Sequence, residues 1–124
     1  MTKQEMQHRF QRALDHAGNT HTVDDVLRML DEGSAKCWTH QDGLIITEIN
    51  TFPLETAVHY WLAAGNLHDC LALEETINQD SIARGCTVAT VTGRRGWGPY
   101  GAKTGWKLRG YLFGKRLAGG PSHE

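Results

Sequence analysis

Residues 93–106, with the sequence GRRGWGPYGAKTGW, hold the densest set of side chains with anion-binding chemistry. They include a literal G-x-G-x-x-G in the letters GWGPYG, directly after Arg94 and Arg95. A dinucleotide-binding fingerprint needs these glycines between a first strand and a helix, with an acidic residue about 20 positions later. Here the preceding strand comes late in the chain, and the only acidic residue that follows is Glu124. We therefore interpret the match as accidental.

A phosphate-binding P-loop is also excluded, because the G-x-x-x-x-G-K-[ST] spacing is absent. Two interpretations of the segment stay open. Glycine beside tryptophan and tyrosine lets the backbone approach large flat rings, which favours a short irregular helix or turn that packs aromatic side chains on a sheet. Alternatively, Arg94, Arg95 and Lys103 converge to bind a phosphate or a carboxylate.

Charge is distributed unevenly along the chain, although the net charge is only −1. Residues 1–93 carry six Lys or Arg against thirteen Asp or Glu, whereas residues 94–116 carry seven Lys or Arg and no acidic residue. Clustered positive charge attracts phosphates, nucleic acid or an acidic protein surface. Residues 94–116 therefore predict a protein partner or nucleic acid, unless the two regions neutralise each other within the folded domain.

Length and composition limit the class of protein. The 124 residues, 40% of them hydrophobic, fit one domain over residues 1–118 and a flexible tail over residues 119–124. The sequence has no run of 18 apolar residues and no signal-peptide pattern, which predicts a soluble cytoplasmic protein without a membrane partner. Three widely spaced cysteines disfavour a disulfide framework and a metal site, and we expect buried thiols at Cys37, Cys70 and Cys86.

Helical periodicity and end signals predict three helices. They are residues 3–17, the segment between a Thr22 cap and a Gly33 stop, and residues 67–84. The second is marked most clearly, because Asp25 stands three residues after Thr22 in the manner of a capping box. Asn66 is placed to cap the third helix, and Gly85 to end it.

Shorter apolar or alternating runs predict five strands. They are residues 35–40, 44–49, 57–64, 86–91 and 106–113. The first two flank an Asp-Gly turn and form a hairpin, whereas the third also fits a helical face, so a helix stays open there. The element order predicts an α+β, or mixed α/β, fold with a central mixed sheet and a helical crossover between two parallel strands.

This order of elements, with Gly65-Asn66 and the stretch GCTVATVTGRRGWGPYGAKTGW, resembles the small phage-encoded members of the GNAT superfamily of acyl-CoA-dependent N-acyltransferases. The resemblance covers residues 22–113. It implies a GNAT-like sheet in which the strand that ends at residue 64 and the strand that starts at residue 86 part, with the acyl-CoA pantetheine between them. It also implies a short helix within residues 94–105.

The loop that would bind the cofactor departs from the family pattern. The superfamily's [QR]-x-x-G-x-[GA] pattern leads into a helix whose amide groups hold the diphosphate. The matching junction here is AAGNLHD, with the single glycine Gly65 and with Asp69 placed to repel an anion. We therefore expect no cofactor; if the chain is an enzyme, the resemblance implies acetyl-CoA or another acyl-CoA held by Gly65, Asn66, Arg94 and Arg95.

For an enzyme, the resemblance implies a base that deprotonates an amine and an acid that protonates the leaving thiolate. Glu48, in the second hairpin strand, is the candidate base, His59 is a second candidate base, and Tyr100 is the candidate acid. Purely structural roles stay open, with Glu48 paired to Lys107 or Arg109 at a sheet edge and His59 in the core or on the surface. No metal site is predicted.

Three functions are compatible with these features. The first is a non-enzymatic virion or morphogenesis protein of a tailed phage, which docks residues 94–116 on an acidic protein surface or on packaged DNA. The second is an acyl-CoA-dependent N-acyltransferase that acts on a host amine, and the third is a small inhibitor that binds a host nucleoprotein. The first is preferred, because the cofactor loop is degraded while the core pattern is intact, and it places the protein in the host cytoplasm or the virion.

Overall fold

The computed structural model describes residues 1–92 and 98–118 of the chain. Its elements, in chain order, are α1 (Lys3–His16), α2 (Val23–Glu32), β1 (Lys36–His40), β2 (Gly43–Thr51), β3 (Thr56–Gly65), α3 (Leu67–Leu71), α4 (Glu74–Ala83), β4 (Val88–Val91) and α5 (Gly98–Lys103). Contacts divide the chain into a larger unit, Met1–Val91, and a smaller unit, Thr92–Glu124. The larger unit contains the sheet and four of these helices, and the smaller unit contains α5.

Both N-terminal helices begin at capping boxes. The Thr22 hydroxyl accepts a hydrogen bond from the Asp25 amide at 3.1 Å, and the Asp25 carboxylate accepts one from the Thr22 amide at 2.8 Å. These bonds from Thr22 hold the pKa of Asp25 below its ordinary value. Thr2 and Glu5 form the same arrangement at the start of α1. The predicted cap of the second helix is confirmed, as is its end at Gly33, where φ is 81°.

The sheet is mixed and has the strand order β1-β2-β3-β4. Strands β1, β2 and β3 pair antiparallel, and β3 pairs with β4 in parallel. The predicted hairpin is formed by β1 and β2, with Gln41 and Asp42 between the paired residues His40 and Gly43. The segment 57–64 is a strand and not a helix, which confirms an α+β fold with a mixed sheet.

The crossover from β3 to β4 contains two helices, so the single helix predicted over residues 67–84 is wrong. The interruption lies at Leu73, whose amide donates to the Cys70 carbonyl three residues back, at 3.0 Å. This tighter turn ends the regular helical ladder. Leu71 and Ile82 are apolar residues within the predicted range, but both are exposed. The apolar spacing was therefore only approximately helical because it came from two helices.

Two predicted strands also differ in the structure. Strand β4 begins at Val88 and not at residue 86, because the Cys86 amide completes the end of α4 by donating to the Ser81 carbonyl at 2.9 Å. Residues 106–113 form no strand and have no regular secondary structure. An alternating segment becomes a strand only when a second strand pairs with it, and the described part of the smaller unit contains none.

Strands β3 and β4 pair over a short distance only. Their register runs from Ala57 opposite Val88 to Tyr60 opposite Val91. Strand β4 ends there, whereas β3 continues to Gly65 without a partner on that side among the described residues. The two parallel strands therefore run side by side along the first part of β3 and not along its whole length.

The main core lies between α1, α2 and one face of the sheet. Its least exposed large side chains are Phe10, Leu14, Val26, Leu44, Ile46 and Leu62. Strands β2 and β3 contribute to this core from alternate positions, because side chains along a strand point to opposite faces. Within residues 1–92 and 98–118, no helix has the length and apolar character needed to span a membrane.

We predict that Phe10→Ala lowers the free energy of unfolding by about 3–5 kcal/mol, because it leaves a cavity where a fully buried ring stood. The ring is 1% exposed. Urea denaturation measures the change. Leu54→Ala is the matched control, since Leu54 is 98% exposed, and we expect it to change stability by less than about 0.5 kcal/mol. Equal losses in the two variants would contradict this placement of the core.

Candidate functional site

A β-bulge in β3 determines which side chains share a face of the sheet. Ile46 pairs with Leu62 and Thr47 pairs with Tyr60, so Trp61 is the extra residue on β3. The Trp61 ring meets the His21 ring edge-on, with 4.7 Å between the ring centroids. The bulge shifts the alternation of β3 by one residue. The side chains on the N-terminal side of Trp61 therefore point to the face opposite to the one that regular alternation from Leu62 would give.

Beyond the bulge, three polar side chains from three strands form one row across the sheet. Glu48 of β2 lies opposite His59 of β3, which lies opposite Thr90 of β4. Directly paired residues project to the same face. His59 Nδ1 and Thr90 Oγ1 are hydrogen-bonded at 2.9 Å, and all three residues are half-buried. We call Glu48, His59 and Thr90 the polar row.

The polar row brings together the two bases predicted from the sequence. The Glu48 carboxylate makes no hydrogen bond or ion pair with another described residue. Because Thr90 occupies Nδ1 of His59, Nε2 is the ring nitrogen left for another group. A carboxylate beside an imidazole is able to bind a cationic amine and to accept its proton.

The β3–α3 junction is closed by neighbouring segments of the chain. Gly65 has a φ of 92°, and a Cβ built on it would lie 1.9 Å from the Asp42 carbonyl oxygen and 2.5 Å from Arg9 Nη1. The Asn66 amide donates to the same carbonyl at 2.8 Å. The Asn66 side chain accepts a hydrogen bond from the Asp69 amide at 3.2 Å, which confirms Asn66 as the predicted cap of α3.

Two carboxylates and one guanidinium complete the junction. The Asp42 amide donates to Asp69 Oδ2 at 3.1 Å. Arg9 donates to the Asp42 carbonyl at 3.0 Å and forms an ion pair with the Asp42 carboxylate. We call Arg9, Asp42, Gly65, Asn66 and Asp69 the clasp. It joins α1, the β1–β2 turn and the start of α3.

The clasp does not fit the diphosphate of an acyl-CoA. Gly43 pairs with Gly65, and a Cβ on Gly43 would lie 2.7 Å from the Cys70 amide nitrogen, so α3 packs directly on the β2–β3 ladder. A diphosphate at a helix start accepts hydrogen bonds from free amides. Here the amides of Asn66 and Asp69 are already used internally, α3 has only five residues, and the acidic residue Asp69 lies in its first turn.

The three cysteine thiols and the Tyr60 phenol of the larger unit are protonated at neutral pH. Burial raises the pKa of the Cys37, Cys70 and Cys86 thiols. Cys70 and Cys86 are buried as predicted, whereas Cys37 is half-buried. Desolvation and the charge of Glu74 raise the pKa of Tyr60. None of these groups is a thiolate or a phenolate at neutral pH, so they add no nucleophile to the polar row.

The start of the smaller unit shows why glycine stands beside aromatic residues in this segment. The Trp106 amide donates to the Gly101 carbonyl at 2.9 Å, after a reversal at Gly105, where φ is 90°. A Cβ on Gly101 would lie 3.1 Å from Trp106 Cβ. Gly101 therefore lets Trp106 approach α5 closely, as expected for glycine next to a large ring.

The other predicted site residues of this unit are described only in part. Arg94 and Arg95 lie outside the described residues. Tyr100, the predicted acid, lies in α5, within the short helix that the resemblance implied, and its side chain lies outside the described part of the structure. Lys103, the third predicted anion-binding residue, is the last residue of α5 and is exposed.

Residues 106–117, which we call the basic apolar segment, combine large apolar side chains with basic ones. The apolar side chains at 74–90% exposure are Leu108, Tyr111, Leu112, Phe113 and Leu117. The basic side chains are Lys107, Arg109, Lys115 and Arg116. The segment has no regular secondary structure, and the Tyr111 and Phe113 rings lie 6.4 Å apart.

Sequence reasoning missed Arg9, Asp42 and Thr90. Arg9 and Asp42 are 33 positions apart, and each resembles an ordinary charged surface residue in its own segment. Thr90 becomes recognisable only when the register of β3 and β4 is known. The described residues contain no group of three or more side chains placed to hold a metal ion.

The fold is similar to that of an acetyltransferase from Trypanosoma brucei. The comparison covers 94% of this chain and 96% of that crystal structure's chain, with a TM-score of 0.66 and 14% sequence identity. No family model matches the chain, and no curated protein matches its sequence. At 14% identity the likeness shows the fold alone. It confirms the predicted GNAT-like arrangement of a mixed sheet with helices.

Proposed function

We propose that this chain is a non-enzymatic binding protein on a GNAT-like fold, which docks through its basic apolar segment on an acidic protein surface. The observation that carries the proposal is the composition and exposure of that segment. Five large apolar side chains are exposed there among basic residues, and no acidic residue occurs from residue 94 to residue 118. Contiguous exposed apolar side chains are uncommon on proteins that act alone and indicate an interaction site.

The chemistry of the segment favours protein over nucleic acid as the partner. Aliphatic side chains such as Leu108, Leu112 and Leu117 gain little from a phosphate backbone, but they are stabilised by burial in an apolar patch. Basic side chains around such a patch pair with carboxylates at the rim of a protein interface. A partner with an apolar centre and an acidic rim therefore satisfies both kinds of side chain.

The larger unit supports a role without catalysis. The clasp uses the amides of Asn66 and Asp69 internally and places two carboxylates where a diphosphate would approach. A transferase of this fold that has no diphosphate site lacks a main binding site for its acyl donor. The sheet and its core are nevertheless intact, which is consistent with a fold retained for binding.

The finer role that we propose is that of a virion or morphogenesis component of a tailed phage. This part of the proposal is supported by the resemblance of residues 22–113 to small phage-encoded proteins of the GNAT superfamily. In this role the basic apolar segment docks on another virion protein, in the host cytoplasm or in the particle. Docking of the same segment on a host nucleoprotein is the alternative within the binding class.

We predict that a photo-crosslinking amino acid at position 111 or 113 captures a specific protein in the cells that naturally produce the chain. Lys107→Glu with Lys115→Glu will reduce the yield about tenfold, because two attractive charges become repulsive. The matched control is Lys3→Glu with Arg12→Glu, which changes the net charge equally at exposed positions in α1 and will leave the yield unchanged.

Mass spectrometry of the captured protein provides the measurement, and position 54 provides a crosslinking control on the exposed tip between β2 and β3. Equal capture from position 54, or equal loss in both charge-reversed pairs, would contradict docking through the basic apolar segment. Loss of the product after nuclease treatment would assign the segment to nucleic acid instead.

A second candidate function is N-acylation of an amine, which the polar row favours. Within residues 1–92 and 98–118, Glu48 has no hydrogen-bond or ion-pair partner, and it lies opposite His59; these side chains are suited to accept a proton from an amine. The structural neighbour is described as an acetyltransferase, which supports the same class of reaction. The clasp counts against it, since the junction does not fit the diphosphate of the expected acyl donor.

We predict that the purified protein releases no thiol from acetyl-CoA above the blank when it is given a panel of primary amines. Glu48→Gln will then give the same reading as the unaltered chain. The opposite result would be activity that falls by about 10²–10⁴ in Glu48→Gln and persists in Glu75→Gln, an exposed control on α4. That result would favour the transferase over the binding protein.

A further inference from the structure

We infer that the clasp is a permanent internal closure in the place of a cofactor loop, with Asp42 occupying the donors that an anionic ligand would otherwise use. This inference concerns the larger unit alone. It holds whether or not the basic apolar segment finds its partner, so its failure is distinguishable from failure of the proposed function.

The hydrogen-bond donors of the clasp are already used within the chain. The Asn66 amide and the Arg9 guanidinium both donate to the Asp42 carbonyl, at 2.8 and 3.0 Å. Arg9 also binds the Asp42 carboxylate. An incoming anion would have to displace an internal carbonyl and an internal carboxylate that are already held at the same point. Displacement of groups held at short range costs binding free energy before any contact with the ligand forms.

The charge of the clasp also disfavours an anion. The clasp contains the carboxylates of Asp42 and Asp69 and the single cation of Arg9, so it carries a net charge of −1 before any ligand approaches. A diphosphate is itself negatively charged, so the net charge of the clasp disfavours its approach. The Asp42 side chain is 61% exposed and the Arg9 side chain is 24% exposed, so water and salt weaken this repulsion, and it adds to the internal use of the donors without replacing it.

The backbone at the junction is tightly packed. The Asp42 carbonyl oxygen lies only 1.9 Å from the position that a Cβ on Gly65 would take. Opening the junction therefore moves the whole β1–β2 turn, and it breaks the Asn66–Asp42 and Asp42–Asp69 hydrogen bonds together. Because these bonds depend on one another, the closure is cooperative, and a ligand that opens it loses all of them at once.

Acetyl-CoA and acetyl-pantetheine, which lacks the diphosphate, test the absence of a ligand site. We expect neither compound to raise the Tm at millimolar concentration, and we expect slow hydrogen exchange at the Asp42 and Asn66 amides with and without acetyl-CoA. A rise in Tm with acetyl-CoA alone, together with altered exchange at the Asn66 and Asp69 amides, would overturn the inference.

Gly65→Ala and Gly85→Ala form a matched pair that tests the closure itself. Both glycines have φ near 90°, at 92° and 91°, but a Cβ on Gly85 meets no atom within 4 Å. Both variants carry the backbone strain of a left-handed residue, and only Gly65→Ala also forces the clasp apart. We expect Gly65→Ala to lower the Tm by at least about 5 °C more than Gly85→Ala.

Hydrogen exchange at the Asn66 amide gives the local readout for this pair. We expect at least about tenfold faster exchange in Gly65→Ala and no change in Gly85→Ala. If Gly65→Ala does not fold, Arg9→Gln replaces it, because that change removes the ion pair with Asp42 and adds no atom at the glycine. Unchanged exchange at Asn66 in the variant that folds would overturn the role of the clasp.

Discussion

The close contact between the Asp42 carbonyl and the backbone of Gly65 is the constraint on which the larger unit depends. It fixes the β1–β2 turn against the end of β3, and it places Asn66 to cap α3. Only glycine fits at residue 65, for want of space and because φ is 92°.

The bulge at Trp61 is a second constraint, and it separates the core from the polar row. Leu44, Ile46 and Leu62 face α1 and α2, and Glu48 follows Ile46 on the same face two positions later. Leu62 and His59 are three positions apart, so a strand that alternated regularly through residues 59–62 would place their side chains on opposite faces. The bulge places both on the same face, so that His59 lies opposite Glu48, where the buried apolar face gives way to a half-buried polar one.

Much of the fold was predictable because its signals are local in sequence. The Thr22–Asp25 capping box, the Gly33 stop and the Asn66 cap each depend on residues a few positions apart. The predictions that were wrong concern features that the local sequence pattern does not determine: the point at which a helix is interrupted, and the presence of a second strand for pairing. At Leu73 the amide donates to the Cys70 carbonyl three residues back, which interrupts the helix. The apolar spacing along the sequence nevertheless stays close to that of one continuous helix. The alternation over residues 106–113 signals side chains suited to burial, but it does not supply a strand with which to pair.

The candidate site follows the same division. The sequence singled out Glu48 and His59 as candidate bases and Gly65 and Asn66 as candidate cofactor ligands from their types and element positions, whereas their relation to one another needed the register. The polar row and the clasp belong to different parts of the sheet and differ in charge balance. The Glu48 carboxylate of the row has no partner in the part of the chain that the structure describes, while the carboxylates of the clasp accept internal hydrogen bonds or pair with Arg9. At longer range the acidic excess of residues 1–93 is offset by the seven basic residues of 94–116, because the net charge of the chain is only −1. The electrostatic argument against an anion therefore depends on the arrangement of charges within the clasp.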